Sequence, residues 1–400
     1  MIDGTAGVRG HRGVDESLLN DLAAIEAADP GAMLRHTASA GAQVRESAAL
    51  AAEANLTSIA DEGRPRALVV AGQGTAARTG EILATVAGSR CPVPVIAHRN
   101  AGIPGWVGAA DVVLAVSASG RSPEALSAAD AAARRGARLV AIGAPDSELE
   151  SVAERARAPF IPVPRRGPAR AAMWALTIPV LLAARTLGLV KVTEADIAET
   201  AARLDADAER CRPSAESFVN PAKSFALDLA GSIPVVWGSS MLASIAARRF
   251  ADQLSANARY PAVAGALADA GRGRIGLLDG VYGALSEADR DIFADRSEED
   301  EVDVTRLRLV LLRDSGLAAE DTVEPEPSAV EERRADAVQT IAERRGVRVS
   351  VLAAEGDSTL ERLASLLAVP DFASLYLAIG HGLDPMAVPA MSELKEFLTP

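Results

Sequence analysis

Short apolar runs alternate with helical stretches along this chain, and no other feature of the sequence constrains its fold as strongly. Apolar runs separated by helical segments are typical of βαβ units, in which a parallel sheet carries helices on both faces. The pattern occurs once, is interrupted by helical sequence over about 170–230, and then recurs. The predicted strands are residues 68–71, 93–96, 112–116, 139–142, 233–237, 307–312 and 347–352.

The length of the chain supports two units of this kind. Its 400 residues exceed what one ordinary core accommodates, and a hydrophobic content of 49% excludes a mainly disordered chain. We therefore predict an α/β protein with two doubly wound parallel sheets and flanking N- and C-terminal helices. The expected units are an N-terminal extension over 1–30, a first domain over 31–190 and a second domain over 191–400.

Charge and cysteine content exclude several classes of protein. The net charge of −13 and the pI near 5.0 argue against a nucleic-acid partner, which requires a basic face. Two isolated cysteines, Cys91 and Cys211, favour a reducing compartment. The sequence has neither an uncharged apolar run of membrane-spanning length nor an apolar signal segment near its start. We predict a cytoplasmic protein with no membrane span.

Two acidic stretches, 287–303 and 320–332, stand out in the second half. Runs of like charge are usually solvated loops, and we predict loops here, with a metal or partner role as the alternative. The end of the chain is different, because its apolar residues recur at helical spacing and predict an amphipathic helix that lies on the body. These residues are Val388, Met391, Leu394 and Leu398.

A serine-rich turn follows the third predicted strand and opens a helix. It reads Ser-Ala-Ser-Gly-Arg-Ser-Pro-Glu over 117–124, with proline suited to the first helical turn. A helix N-terminus offers unpaired N–H groups and a positive dipole end, and serine hydroxyls add donors that an anion can use. The turn therefore predicts phosphate binding by Ser117, Ser119, Gly120 and Ser122. A capped turn without a ligand is the alternative.

A glycine-containing turn follows the first predicted strand. Its Gly72, Gly74 and Thr75 are further candidates for phosphate binding, although a structural turn would look the same. The spacing of small residues is only a weak dinucleotide signal. A nicotinamide site would also need an acidic residue within 97–100, which holds Ala, His, Arg and Asn. We expect no cofactor and no metal. A similar turn at 238–240 opens the second half and could bind an anion, although duplication of the fold alone would produce it.

The serine turn resembles the Ser-x-Ser-Gly-x-Ser/Thr-x-Glu motif of sugar isomerase (SIS) domains. Over about 30–400 the chain is similar to the bifunctional phosphoglucose/phosphomannose isomerases of that family. The resemblance implies that the serine loop holds a sugar phosphate and that the chain forms a homodimer. The family's Gly-x-Gly-Gly-Ser loop is matched at Gly72 and Gly74. Thr75 and Ala76 replace its third glycine and its serine.

The same resemblance implies that two catalytic groups are missing. Residues 255–259 match the family's Asn-Glu-Asn-Ala-Lys, so that Ala256 stands where the family has its catalytic glutamate. The family's His-Asn-Glu segment, whose histidine opens the sugar ring, corresponds to 269–274, which contains no histidine. Aldose–ketose isomerisation needs a base beside the carbon that loses its proton.

Three other residues are candidates for catalysis by resemblance. Arg170 matches the family arginine that supports the developing oxyanion, and Lys395 lies where the family has a sugar-contacting lysine. His381 departs from the family pattern, yet it is the single histidine within a matching segment and could serve as a substitute acid–base. The alternatives are a surface arginine, a solvated lysine and a structural histidine.

Three functional hypotheses follow from these residues. The first is a phosphosugar-binding protein with weak or no isomerase activity. The second is an active isomerase that converts glucose-6-phosphate or mannose-6-phosphate to fructose-6-phosphate, with His381 or Glu81 as the base. The third is a scaffold or regulatory subunit, for which the acidic stretch at 287–303 gives weak support.

Overall fold

The computed structural model describes residues 14–286, 306–316 and 327–398. The acidic stretch at 287–303 lies outside these residues. The predicted loop at 320–332 is only partly described, and its described portion, 327–332, is helical rather than a loop.

The first half begins with four helices and then alternates strands with helices. The opening helices are α1 Glu16–Asn20, α2 Leu22–Ala28, α3 Met33–Ala38 and α4 Ala40–Glu53. They are followed by β1 Leu68–Ala71, α5 Thr75–Ala87, β2 Val95–His98, β3 Val112–Ser117, α6 Pro123–Arg134, β4 Arg138–Gly143, α7 Glu148–Ala156, β5 Phe160–Pro162 and α8 Met173–Thr186.

The second half repeats the alternation after two helices. Its elements are α9 Glu194–Arg210, α10 Pro221–Leu229, β6 Ser232–Gly238, α11 Met241–Gln253, β7 Val263–Ala266, α12 Leu267–Gly273, β8 Arg306–Arg313, α13 Pro327–Glu343, β9 Arg348–Ala353, α14 Thr359–Gly380 and α15 Pro389–Leu398. Between α11 and β7 the chain makes a π-helix, Leu254–Ala258.

Both sheets are parallel and share one strand order. The first sheet runs β2-β1-β3-β4-β5 and the second runs β7-β6-β8-β9, with every described pairing parallel. The predicted fold class, two doubly wound parallel sheets with flanking helices, is confirmed. The predicted strands all form, with ends that differ by at most two residues, but β5 and β7 were not predicted. They are short, and the Val-Ala-Gly-Ala sequence of β7 has little strand propensity.

One hydrophobic cluster joins the two halves. It contains Leu181 of α8, Leu204 of α9, Phe250 of α11 and Leu366 of α14, all buried. Helices α8 and α9 both pack against α4, so the predicted division at residue 190 falls inside a shared helical layer. The limits of the domains therefore stay a prediction.

Helix α14 forms the centre of this helical layer. Among the described residues it is the one helix long and apolar enough to cross a membrane, but 94% of its most apolar window is buried inside the protein. A helix that is apolar on all sides is expected at the centre of a large core. The composition of α14 is therefore explained by packing within the protein.

The C-terminal helix forms as predicted but does not lie on the body as expected. Met391 and Leu394 of α15 are 51% and 57% exposed, so the apolar face of the helix is open to solvent. Helical spacing correctly indicated the secondary structure. It could not indicate whether another part of the chain would cover the apolar side.

Lys223 is a fully buried lysine at the start of α10. Its Nζ donates hydrogen bonds to the carbonyls of Pro213 and Ala215, at 2.7 and 2.6 Å, and lies 5.3 Å from the centroid of the Tyr376 ring. Burial lowers the pKa of Lys223 from its usual 10.5 to about 8. The ammonium thus joins the loop before α10 to the central helix.

This lysine predicts a pH dependence of stability. Between pH 8 and 10.5 the unfolded chain binds the Lys223 proton more tightly than the folded chain does. The free energy of unfolding should therefore gain about 3 kcal/mol from this group as pH rises through that window. Urea unfolding of the wild type and of Lys223→Met at both ends of the window measures the difference. An identical pH dependence in the two proteins would contradict the assignment.

Candidate functional site

The candidate phosphate loop lies at a topological switch point of the first sheet. Strands β1 and β3 are neighbours, and the chain leaves them in opposite directions, toward β2 and β4 respectively. Doubly wound folds bind ligands in the crevice that such a reversal opens at the carboxyl ends of the strands. Ser117 is the last residue of β3, and Gly72 directly follows β1. The two predicted phosphate turns are therefore side by side.

The serine turn is held by its own hydroxyls, except for that of Ser122. The Arg121 N–H donates to Ser119 Oγ at 3.2 Å, and the Ser122 N–H donates to Ser117 Oγ at 3.4 Å. Ser122 is the N-cap of α6, but its side chain accepts no hydrogen bond from the helix. The capped-turn alternative requires that bond. Its absence leaves both the Ser122 hydroxyl and the first N–H groups of α6 uncommitted.

Gly120 is required by the conformation of this turn. Its φ of +66° lies in the left-handed region, and a Cβ there would stand 2.0 Å from Ser147 Oγ. The close approach brings the turn against the N-cap of α7, where the Leu149 N–H donates to the Gly120 carbonyl at 3.0 Å. Gly120 thus shapes the loop rather than offering a side chain to a ligand.

The glycine turn opens a second uncapped helix beside the first. Gly74, the N-cap of α5, has a φ of +56° and faces open space, and no side chain caps the helix. Gly72 packs closely, since a Cβ there would lie 2.8 Å from the carbonyl oxygen of Val116. Thr75 begins α5 and is half-buried. Two helix N-termini without side-chain caps therefore meet at this edge of the first sheet.

The segment that matches the family's catalytic glutamate forms the π-helix. Ala256 is half-buried within it and presents only a methyl group. Asn257 is fully buried and donates from Nδ2 to Ser374 Oγ at 2.9 Å, while its Oδ1 has no partner within the described residues. Arg259 ends the turn in a left-handed conformation, with φ of +55°. π-Helical turns occur frequently at functional sites.

Arg170 and Arg259 both donate hydrogen bonds to backbone carbonyls of residues 384–387. Arg170 donates from Nη2 to the carbonyls of Pro385 and Met386, at 2.6 and 3.1 Å. Arg259 donates from Nη2 to the carbonyls of Asp384, at 3.0 Å, and Ala387. Burial lowers the pKa of Arg170, with Asp384 opposing the shift and Arg259 adding to it. Arg170, which the resemblance implies supports an oxyanion, is thus held to the backbone through its Nη2 atom.

A buried ion pair contacts the turn that contains Arg170. Arg249 of α11 contacts Asp371 of α14 through Nε and Nη2, at 3.0 and 2.7 Å, and both residues are buried. The same Nη2 donates to the Arg170 carbonyl at 3.2 Å. Asp371 also lies one turn before Ser374, the partner of Asn257. The pair therefore links the Arg170 turn to the helix beneath the π-helix.

His381 is placed beside the π-helix. Its ring stacks on Tyr260, with centroids 5.8 Å apart, and its buried Nε2 has no hydrogen-bond partner in the described part of the chain. Burial lowers the pKa of His381 below its usual 6.5, so the imidazole is neutral at pH 7. A neutral imidazole can accept a proton, although the lowered pKa makes it a weaker base than a solvated histidine.

Glu81, the other candidate base, is held by three arginines. It pairs with Arg78 at 3.1 Å, with Arg248 at 3.4 Å and with Arg99. Burial alone would raise the pKa of Glu81, but the three guanidinium groups together hold it below its usual value. A carboxylate stabilised in this way is a weak base.

The remaining candidate, Lys395, lies in α15, but its side chain falls outside the described part of the structure. Metal binding has no support among the described residues, where no group of three or more His, Cys, Asp or Glu side chains is arranged to hold an ion. Sequence reasoning missed the Arg249–Asp371 pair. Its one available signal was an aspartate in the otherwise apolar middle of α14.

Comparisons with known proteins agree with the resemblance found in the sequence. Residues 218–398 match the family described as the bacterial phospho-glucose isomerase C-terminal SIS domain. A bifunctional phosphoglucose/phosphomannose isomerase from Caldicellulosiruptor bescii is 28% identical over 331 residues, which cover 83% of this chain and 89% of that protein.

Solved structures show the same fold. A hypothetical protein from Thermus thermophilus superposes with a TM-score of 0.66 at 17% identity, over 96% of this chain and 93% of that one. The tagatose-6-phosphate ketose/aldose isomerase of Escherichia coli superposes with a TM-score of 0.63 at 15% identity, over 89% and 94% of the two chains. The second half of the chain therefore matches a SIS-domain family, and most of the chain is similar in sequence to a bifunctional phosphoglucose/phosphomannose isomerase.

Proposed function

We propose that the protein binds a sugar phosphate at the carboxyl edge of the first sheet and has weak or no isomerase activity. One observation carries the proposal: at one switch point the N-termini of α5 and α6 both lack a side-chain cap, and the Ser122 hydroxyl makes no bond to its helix. The names of the similar proteins, which act on phosphosugars, support the choice of ligand.

A phosphate group suits the chemistry of this edge. Unpaired N–H groups and the positive end of the helix dipole favour an anion at a helix N-terminus. Ser119 and Ser122 supply hydroxyl donors from the turn, and Thr75 supplies a third from the start of α5. A local arrangement of donors of this kind can hold an anion although the whole chain is acidic.

The residues in and near the π-helix support weak or no isomerase activity. Ala256 cannot move a proton, and the stretch at 269–274 has no histidine. Loss of a positioned general base typically costs about 10²–10⁴ in rate. Glu81 is tied to its arginines and does not replace the missing base.

A second candidate function is supported by His381. Its imidazole, which stacks on Tyr260, is neutral, and its buried Nε2 has no hydrogen-bond partner among the described residues. On this alternative the protein is an active isomerase that interconverts glucose-6-phosphate or mannose-6-phosphate with fructose-6-phosphate. Proton and phosphorus NMR of the three hexose phosphates in D₂O separate the alternatives. Line broadening alone favours binding, and deuterium wash-in at C2 favours the isomerase.

Ser119→Ala/Ser122→Ala is expected to weaken binding of a hexose phosphate by about 10- to 100-fold, because hydrogen bonds to a charged group contribute about 1.5–3 kcal/mol. Calorimetric titration of the wild type and the variant measures the change. Ser127→Ala, in the same helix but beyond its first turn, is the matched control and should bind as the wild type does. An unchanged affinity in the double variant would remove the serine loop from the site. A wild type that binds none of the three hexose phosphates would remove the proposal itself.

We further propose a homodimer, supported by the resemblance, and a cytoplasmic location, supported by the two isolated cysteines. A scaffold or regulatory role stays a prediction, because the acidic stretch that motivates it is outside the described residues. Sedimentation of the purified protein tests the homodimer.

A further inference from the structure

The two halves of the protein use their switch points differently. In the second sheet β6 and β8 are neighbours, with β7 and β9 outside them, as β1 and β3 are flanked by β2 and β4. The turn Gly238–Ser240 leads from β6 into α11, at the place where the glycine turn leads from β1 into α5. The second half therefore contains the backbone framework of an anion site.

In this half the serine hydroxyls are already committed. Ser240 caps α11 by accepting from the Ala243 N–H at 3.1 Å, and its own hydroxyl donates to Asp314 Oδ2 at 2.7 Å. Ser239 Oγ accepts from the Asp314 N–H at 2.9 Å. Asp314 directly follows β8 and is buried, so a carboxylate lies at the N-terminus of a 13-residue helix.

A buried arginine completes the arrangement. Arg362, at the start of α14, is 8% exposed and donates from Nε to Asp314 Oδ1 at 2.9 Å. The Gly316 N–H approaches the same oxygen at 3.3 Å. The Nη1 of Arg362 is buried and has no hydrogen-bond partner among the described residues. This cluster thus contains one more charged donor than the carboxylate uses.

We propose that Asp314 is an internal anion, which fills in the second half the place corresponding to the phosphate site of the first; this inference rests on the function proposed above. Its carboxylate accepts hydrogen bonds from the Ser240 hydroxyl, the Gly316 N–H and the Arg362 guanidinium, beside the N-terminus of α11. Hydroxyl, backbone N–H and guanidinium groups are the classes of donor that hold phosphate in proteins. A second anion is excluded by the charge already there. Of the two switch points, the wild type therefore offers the first to phosphate, and the second is latent until the carboxylate of Asp314 is removed.

The test introduces Asp314→Ala into the full chain that already carries Ser119→Ala and Ser122→Ala. These two serine substitutions weaken phosphate binding in the first half, and the protein that carries them alone is the background protein. Inorganic phosphate is the probe, and the midpoint of thermal unfolding is the readout. Phosphate should raise the midpoint of the Asp314→Ala protein by about 2 °C at tenfold above the dissociation constant. The background protein controls for the general stabilising effect of phosphate, and chloride at equal ionic strength controls for screening.

Two further variants make the outcome specific. Adding Arg362→Met should abolish the phosphate-dependent rise, because it removes the guanidinium that the new anion would contact. Asp314→Asn keeps the site filled with a neutral side chain and should show a smaller rise than Asp314→Ala. If Asp314→Ala is unfolded without ligand, phosphate should restore its far-UV circular dichroism. A folded Asp314→Ala with no rise beyond the background, an unfolded one that phosphate does not restore, or a rise that survives Arg362→Met, would each overturn the proposal.

Discussion

Ala256→Glu is expected to raise the rate of deuterium wash-in at C2 of glucose-6-phosphate by about 10²–10⁴ over the wild type, because it places a general base in the π-helix. Ala256 is half-buried between the exposed Ser255 and the fully buried Asn257, so a longer side chain there can reach solvent-accessible space. Proton NMR in D₂O at equal protein concentration measures the rate directly.

The control for this variant is Ala256→Gln, which has nearly the same shape but no basic carboxylate. It should exchange at the wild-type rate. Equal gains in the two variants would mean that packing at position 256, and not a proton acceptor, limits the reaction. Fast exchange in the wild type would show that a base such as His381 already serves, and His381→Gln should then abolish it.

Arg249→Met is expected to lower the free energy of unfolding by about 3–5 kcal/mol, because it leaves the Asp371 carboxylate buried without its partner. The variant also removes the hydrogen bond from Arg249 to the Arg170 carbonyl. Urea unfolding at neutral pH measures the loss, and this change should be the most destabilising among the substitutions discussed.

Two controls test the reason for that loss. Arg249→Met/Asp371→Leu replaces both charges by apolar groups and should recover most of the stability, since no unpaired charge remains. Arg45→Met breaks the exposed pair that Arg45 makes with Asp205 at 2.8 Å, and it should cost less than about 1 kcal/mol. A loss in Arg249→Met as small as that of Arg45→Met would show that the buried pair contributes little.

The fold could be predicted because its main signal is local. Strands such as β3, with six consecutive buried residues, appear in the sequence as apolar runs, and their alternation with helices determines the class. The short strand β7 gave no such signal, since its Val-Ala-Gly-Ala sequence forms a strand only through pairing with β6. The open apolar face of α15 was missed for a related reason, because burial depends on distant parts of the chain.

The residues of the site likewise fall into those that sequence could predict and those that it could not. The serine turn at 117–122 was predictable, since its donors are neighbours in the sequence and its place at a strand end follows from the topology. Arg249 and Asp371 are separated by 122 positions and meet only when α11 packs against α14. Asp314 carried a weak signal, as an acidic residue directly after an apolar strand, but its contact with Arg362 could not be foreseen from spacing.

The π-helix has a consequence for how this segment can change over generations. It continues directly from α11 and ends at Arg259, whose backbone is left-handed. A π-helical turn bonds residue i to residue i+5 and so holds about one residue more than an α-helical turn. Deleting one residue from it would let the segment close as an ordinary α-helical turn, without the wide turn that carries Ala256. The side chain at position 256 can therefore be exchanged within the turn, whereas the turn itself depends on the number of residues between α11 and Arg259.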